Sequence, residues 1–66
     1  MHDLRIREFR KKAGMSQRQL AEATGIEQSC VSRIERGLQG VTLAQLAKIS
    51  EALQVSIPRL IGLSKR

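Results

Sequence analysis

The stretch from Glu27 to Arg36 carries Gln28, Ser29, Ser32, Arg33 and Arg36. With Gln28 at zero and a turn of about 100° per residue, these five fall within an arc of about 140° on a helix. Val31 and Ile34 lie on the opposite side, with Cys30 and Glu35 at its flanks. One face is buried, and the other presents flexible hydrogen-bonding groups. That is chemistry for recognition rather than reaction. The six acidic residues are dispersed, no nucleophile stands beside a base, and no glycine-rich loop cradles a phosphate. One cysteine, Cys30, and one histidine, His2, cannot supply the roughly four ligands of a structural zinc. No catalysis, metal or cofactor is expected.

The overall charge indicates what such a face would recognise. Twelve Lys and Arg against six Asp and Glu give a formal net charge of +6 over 66 residues. A basic surface on a folded domain points to a polyanion, most often nucleic acid. The hydrophobic fraction of 41% fits a globular chain rather than a disordered one. Phe9 is the sole aromatic, which argues against the stacking platforms that bind single strands. No apolar run approaches the ~18 residues of a membrane span, and no secretory signal core follows Met1. A soluble, cytoplasmic protein is expected, with one domain over residues 1–66. A chain of this size buries only ~60% of its unfolded surface, so its stability is marginal. The single cysteine excludes an intrachain disulfide, leaving efficient packing and self-association as support.

Other elements must hold this face in place. Breakers at Gly14, Gly25, Gly37, Gly40, Pro58 and Gly62 cut the chain into helix-length pieces. β-branched residues scatter without alternating, so no strand is expected. The first piece, Asp3 to Ala13, puts Leu4, Ile6, Phe9 and Ala13 on one face, with Asp3 at its start. Arg5, Arg7, Lys11 and Lys12 project outward as a solvated face. The second piece opens on a Ser16/Gln19 capping box, stapled by Met15 and Leu20, and runs to Thr24 before Gly25. The third, about residues 27–36, carries the polar face. The fourth repeats the start signal with Thr42 and Gln45, stapled by Val41 and Leu46. Leu43, Leu46, Ile49 and Leu53 supply its apolar stripe. A short last helix starts at Ser56, tolerates Pro58 in its first turn and staples Leu60 to Val55. These pieces make an all-α domain of five short helices.

Gln17 to Arg36 is then two short helices around Gly25. Ala21 is small where they approach, and Leu20, Ile26, Val31 and Ile34 are apolar where the pair must hold its angle. This is the spacing of a helix-turn-helix, over about residues 16–36, whose second helix enters the DNA major groove. Gly14-Met15-Ser16-Gln17, Leu20-Ala21, Gly25 and Val31-Ser32-Arg33-Ile34-Glu35-Arg36-Gly37 resemble the Cro/CI-type (XRE-type) helix-turn-helix family. The resemblance continues through Leu43 to Ile49 and Ala52 to Ser56, and so covers nearly the whole chain in order. It implies a lambda-repressor-like five-helix domain in a bacterial or phage transcriptional regulator, repressor-like in action. The partner implied is double-stranded DNA, read by a homodimer on a palindromic operator.

Carried over by position, the resemblance assigns Gln28 and Ser29 to base reading at the start of the recognition helix. A glutamine suits adenine N6/N7, and Arg33, one turn on, suits guanine O6/N7. Gln17 resembles a phosphate contact at a helix N-terminus. Ser32 and Arg36 are assigned to the DNA backbone, as are Thr42 and Gln45 at the start of the fourth helix. Relatives often pair the positions of Arg10 and Glu35 as ions between the first and third helices. Two stretches depart from the pattern. Glu27 stands where a Ser or Thr usually caps the recognition helix, and Leu38-Gln39-Gly40-Val41 lacks the usual proline and basic residues. Cys30 reads as a small filler beside the core. The apolar tail leaves Ile61 and Leu63 for a subunit contact. Two further functions fit the same residues: a small antitoxin or other protein-interaction module, and the controller protein of a restriction–modification operon.

Overall fold

The capping boxes and the left-handed turns decide where the helices begin and end. The computed structural model describes residues 5–61. Among them lie five helices and no strand: α1 (Ile6–Lys12), α2 (Gln17–Thr24), α3 (Gln28–Glu35), α4 (Leu43–Leu53) and α5 (Ile57–Leu60). Both expected capping boxes are formed. Ser16 Oγ accepts from the Gln19 N–H at 3.0 Å while Gln19 Oε1 accepts from the Ser16 N–H at 2.8 Å. Thr42 and Gln45 make the same reciprocal pair, both bonds at 3.0 Å. Two otherwise unpaired backbone or side-chain groups are thus satisfied at each start.

α1 departs from its expected start. His2, Asp3 and Leu4 lie outside the described residues, and the helix begins at Ile6 without a side-chain cap. The Arg5 N–H donates instead to the Leu60 carbonyl at 2.7 Å, which ties the start of α1 to the end of α5. Ala13, expected on the core face, is exposed, because α1 closes at Lys12 and the chain turns away at Gly14. Leu43, expected in the stripe of α4, is 75% exposed. At about 100° per residue it sits 60–120° from Leu46, Ile49 and Leu53, off the edge of their shared face. α5 starts after Ser56 with Pro58 in its first turn, and Leu60 is fully buried.

α2 packs on both α3 and α4, and α4 also packs on α1 and α5. Ile6, Leu20, Val31, Ile34, Ile49 and Leu60 fill the centre, each essentially inaccessible. Half-buried Met15, Val41, Val55, Ile57 and Ile61 close its rim. The ring of Phe9 is flanked by Lys12 Nζ at 5.4 Å and the Arg59 guanidinium at 5.3 Å from its centroid. These cations extend the core outward between α1 and α5.

A buried ion pair adds a polar link between α1 and α3. Arg10 Nε and Nη2 donate to the two Glu35 carboxylate oxygens at 2.7 and 3.1 Å. Arg10 Nη1 donates to the Met15 carbonyl at 2.8 Å. The two side chains are only 9% and 2% exposed. The α1–α3 pair implied by the family resemblance is therefore present, and it is desolvated rather than superficial.

The left-handed Gln54 and this ion pair each affect the stability of the fold. Gly25 ends α2 at φ +76°, and Gln54 ends α4 at φ +57°, a conformation that costs an ordinary residue about 1–2 kcal/mol. Gln54→Gly removes that strain and, after the greater entropy of the unfolded glycine, should stabilise the domain by ~0.5–1 kcal/mol. A thermal melt that stays in place or moves down contradicts the strain. Arg10→Met leaves the Glu35 carboxylate buried without its counter-ion, a loss of about 3–5 kcal/mol. That is most of what a domain this small has. Arg10→Met/Glu35→Leu should recover much of it, because an apolar pair replaces the ion pair. Urea denaturation of both variants measures this, and a single variant as stable as the parent would show that the pair contributes little.

Candidate nucleic-acid interface

The buried face of α3 determines where its polar face points. Val31 and Ile34 are 1% exposed and pack into the core. Gln28, Ser29, Arg33 and Arg36 are exposed on the other side, with Ser32 half-buried between them. The expected polar arc is thus a continuous outer surface of one short helix.

The turn ahead of α3 holds it at a fixed angle to α2. Thr24, at the last turn of α2, is buried, and its Oγ1 donates to the Leu20 carbonyl at 2.8 Å. The same oxygen accepts from the Ile26 N–H at 3.3 Å, so one hydroxyl satisfies both sides of the turn. Sequence reasoning passed over Thr24; a threonine just before a helix-ending glycine, with an apolar residue after it, was the available signal. Glu27 takes the cap position in extended conformation and makes no side-chain cap bond. A carboxylate at this site leaves the first N–H groups of α3 uncapped from within.

The rear of α3 is anchored to α2 as well as α1. Gln17 Nε2 donates to Glu35 Oε1 at 3.0 Å. Gln17, expected as a phosphate contact, therefore has one amide hydrogen engaged with Glu35, and the other remains for a ligand at the start of α2. With Arg10 against it, the Glu35 carboxylate does not present a free negative charge behind the polar face of α3.

At the front, a chain of side-chain contacts runs from α3 through the following loop to α4. Arg33 Nε donates to Gln39 Oε1 at 2.8 Å, and Gln39 Nε2 donates to Cys30 Sγ at 3.1 Å. Gln45 Nε2 approaches the same sulfur at 3.9 Å. Gln45, expected to face a phosphate, is half-buried and turned into this groove, with its amide oxygen occupied by the Thr42 N–H. Thr42 is exposed, but its hydroxyl oxygen accepts from the Gln45 N–H. The Thr42 O–H and the first backbone N–H groups of α4 are the donors this end offers an anion. Glu27, Cys30, Arg33, Gln39, Gln45 and Lys48 line an open groove of about 420 Å³ beside α3. Gln39 and Lys48 were not singled out from the sequence, because neither lies on the helix-turn-helix pattern.

Ile61 is half-buried and packs against the core of its own chain. Leu63, the other residue expected at a subunit contact, lies outside the described residues. Among the described residues, no three His, Cys, Asp or Glu side chains gather as metal ligands. No helix among them is long and apolar enough to cross a membrane.

Comparison with known proteins places this geometry. The chain is 36% identical to the control protein C.SmaI of Serratia marcescens over 85% of its length and 67% of that protein's. It is 41% identical to the transcriptional regulator SinR of Bacillus subtilis, over 86% of the chain and 52% of SinR. The chain thus spans about half the length of that regulator. Its fold superposes on the crystal structure of SinR in complex with DNA with a TM-score of 0.81, at 42% identity over 85% of this chain and 90% of that one. The restriction-modification controller protein C.AhdI of Aeromonas hydrophila gives 0.82, at 38% identity over 85% of each chain. These relatives are named as regulators, not enzymes. The helix-turn-helix family model matches residues 6–60, and the chain belongs to that family.

Proposed function

We propose that this chain is a sequence-specific DNA-binding domain of a transcriptional regulator, with α3 as the helix that enters the major groove. The observation that carries the reading is the outer face of α3. Gln28, Ser29, Arg33 and Arg36 are exposed together on a helix whose opposite face is buried in the core and whose C-terminal turn is held through Glu35 by Arg10 and Gln17. Gln28 and Ser29 sit at the first turn, where side chains reach base edges, and Arg33 follows one turn later. Ser32, Arg36 and the N-termini of α2 and α4, at Gln17, Thr42 and Gln45, supply contacts to the phosphate backbone. The likeness to SinR, solved in complex with DNA on the same fold, supports DNA as the partner.

One such face covers only a half-site, so the working form is a homodimer on a palindromic operator. Half-sites would lie about 34–36 Å apart, one turn of duplex. The surface around Ile61 and the tail with Leu63 is the proposed contact between copies. A domain that reads chromosomal or phage operators acts in the bacterial cytoplasm. Control of a restriction–modification operon is a specific form of this role, favoured by the likeness to C.SmaI and C.AhdI.

Selection from a random duplex library should return a palindromic motif and its half-site spacing; recovery without any shared sequence would sink the reading. Arg33→Ala should bring cognate and G·C-substituted duplexes to similar affinity, a loss of roughly 1–3 kcal/mol in discrimination. Equal weakening on every duplex would assign Arg33 to the backbone instead. A dimer that neutralises about six phosphates should lose about a thousandfold in affinity between about 50 and 200 mM salt. A flat response would exclude the electrostatic part.

A further inference from the structure

Gln39 is the residue outside α3 that engages the proposed reading face, and nothing in the helix-turn-helix pattern calls for it. Its amide is fixed at both ends. The oxygen faces the Arg33 Nε–H at 2.8 Å, and the nitrogen donates to Cys30 Sγ at 3.1 Å. The reverse orientation would turn the amide N–H toward a cation, so only this one serves both partners. Gln39 is half-buried and lines the groove together with Arg33 and Cys30. Its loop is pinned to α3 a residue earlier, where the Leu38 N–H donates to the Arg33 carbonyl at 2.9 Å. The amide therefore has a backbone anchor near its own residue and a side-chain anchor on α3.

We infer that Gln39 is a positioning residue that sets the specificity of Arg33, holding its guanidinium by Nε so that the two terminal nitrogens face outward. This rests on the reading of Arg33 as a base contact. A guanidinium can grip guanine O6 and N7 either through its two terminal nitrogens or through Nε and one of them. With Nε occupied by Gln39, the first grip is the one left open. The clamp also orders, before binding, a side chain that is otherwise rich in rotamers. Ordering one such chain costs a factor of about three to ten in affinity, and only a correctly placed guanine returns it. Gln39 thereby enlarges the difference between right and wrong sequences without touching DNA.

The test uses the full chain, the duplex recovered by selection, the same duplex with each G·C pair replaced by A·T, and a scrambled duplex. Gln39→Met keeps the bulk of the side chain and removes the amide. It should lower affinity for the selected duplex about three- to tenfold, leave the scrambled duplex unchanged, and reduce the penalty at the pair read by Arg33. In an Arg33→Ala background the same substitution should have no further effect, as a coupled pair requires. A second readout needs no DNA: the Arg33 Nε–H resonance should be ordered in the free parent protein and mobile in Gln39→Met. Circular dichroism of the variants checks that the fold is retained. If Arg33→Ala flattens discrimination while Gln39→Met leaves it intact, the positioning role is wrong and the Arg33 reading stands. If Arg33→Ala spares discrimination, the Arg33 reading fails, and the specificity role of Gln39 fails with it. If the Nε–H is equally mobile in parent and variant, there is no clamp.

Discussion

The carboxylate of Glu35 is the point on which the arrangement of the first three helices depends. It accepts from Arg10 Nε, Arg10 Nη2 and Gln17 Nε2, so α1, α2 and α3 converge on two oxygen atoms. Apolar burial draws α2 against α3 without a directional bond, because the hydrophobic effect is non-directional. A buried carboxylate cannot slide, since every hydrogen bond it loses leaves a desolvated charge unsatisfied. No buried side-chain nitrogen or oxygen among the described residues lacks a partner, so the network is complete. Its contribution is to specify one geometry rather than to add net stability. For the helix proposed to enter the major groove, geometry is the property that matters.

The same logic explains why so many connections in this chain are made by side-chain amides. Gln19 and Gln45 close the two capping boxes, Gln17 braces the rear of α3, and Gln39 braces its front. An amide donates and accepts at once and carries no charge to desolvate, so it joins unlike partners at modest cost. A lysine or glutamate in these places would alter the charge of the surface near α3. The glutamine at the first turn of α3, Gln28, is exposed, and it is the one assigned to base reading. The residue type is shared, and the neighbours separate the roles.

Much of this was legible in the sequence, and the limits have physical causes. Capping boxes, staples and glycine stops are local signals, read over three to five residues, and the helices of the fold follow them. The polar arc of α3 is also local, and so was its exposure. The Arg10–Glu35 pair joins residues far apart in the chain, and only the family resemblance suggested it. Leu43 and Ala13 failed for a different reason: each falls at a helix terminus, where periodicity still assigns a face but the packing has ended. For Gln45 the capping box settles where the amide oxygen goes but not the amide nitrogen, whose direction depends on what lies opposite. Opposite it was Cys30, fifteen residues away on another helix. Gln39 could not be found at all by pattern, since its role comes from two partners that the fold brings to it.

The excess of positive charge acquires a direction once these partners are known. Arg10 is spent on Glu35, while Lys12 and Arg59 lie over Phe9. Arg18 meets Glu22 at 3.6 Å on the exposed side of α2, a contact too solvated to contribute much. Arg33 and Lys48 border the groove beside α3, with Arg36 exposed at the end of that helix. Glu27 lines the same groove and repels a phosphate from it. In the proposed complex, Arg33, Arg36 and Lys48 attract the duplex at this face and Glu27 opposes them locally. Sequence-independent binding supplies most of the affinity in strongly basic proteins. In the proposed complex discrimination comes on top of that term, from the base contacts assigned to α3 and from whatever keeps Arg33 and Gln28 in place before the duplex arrives.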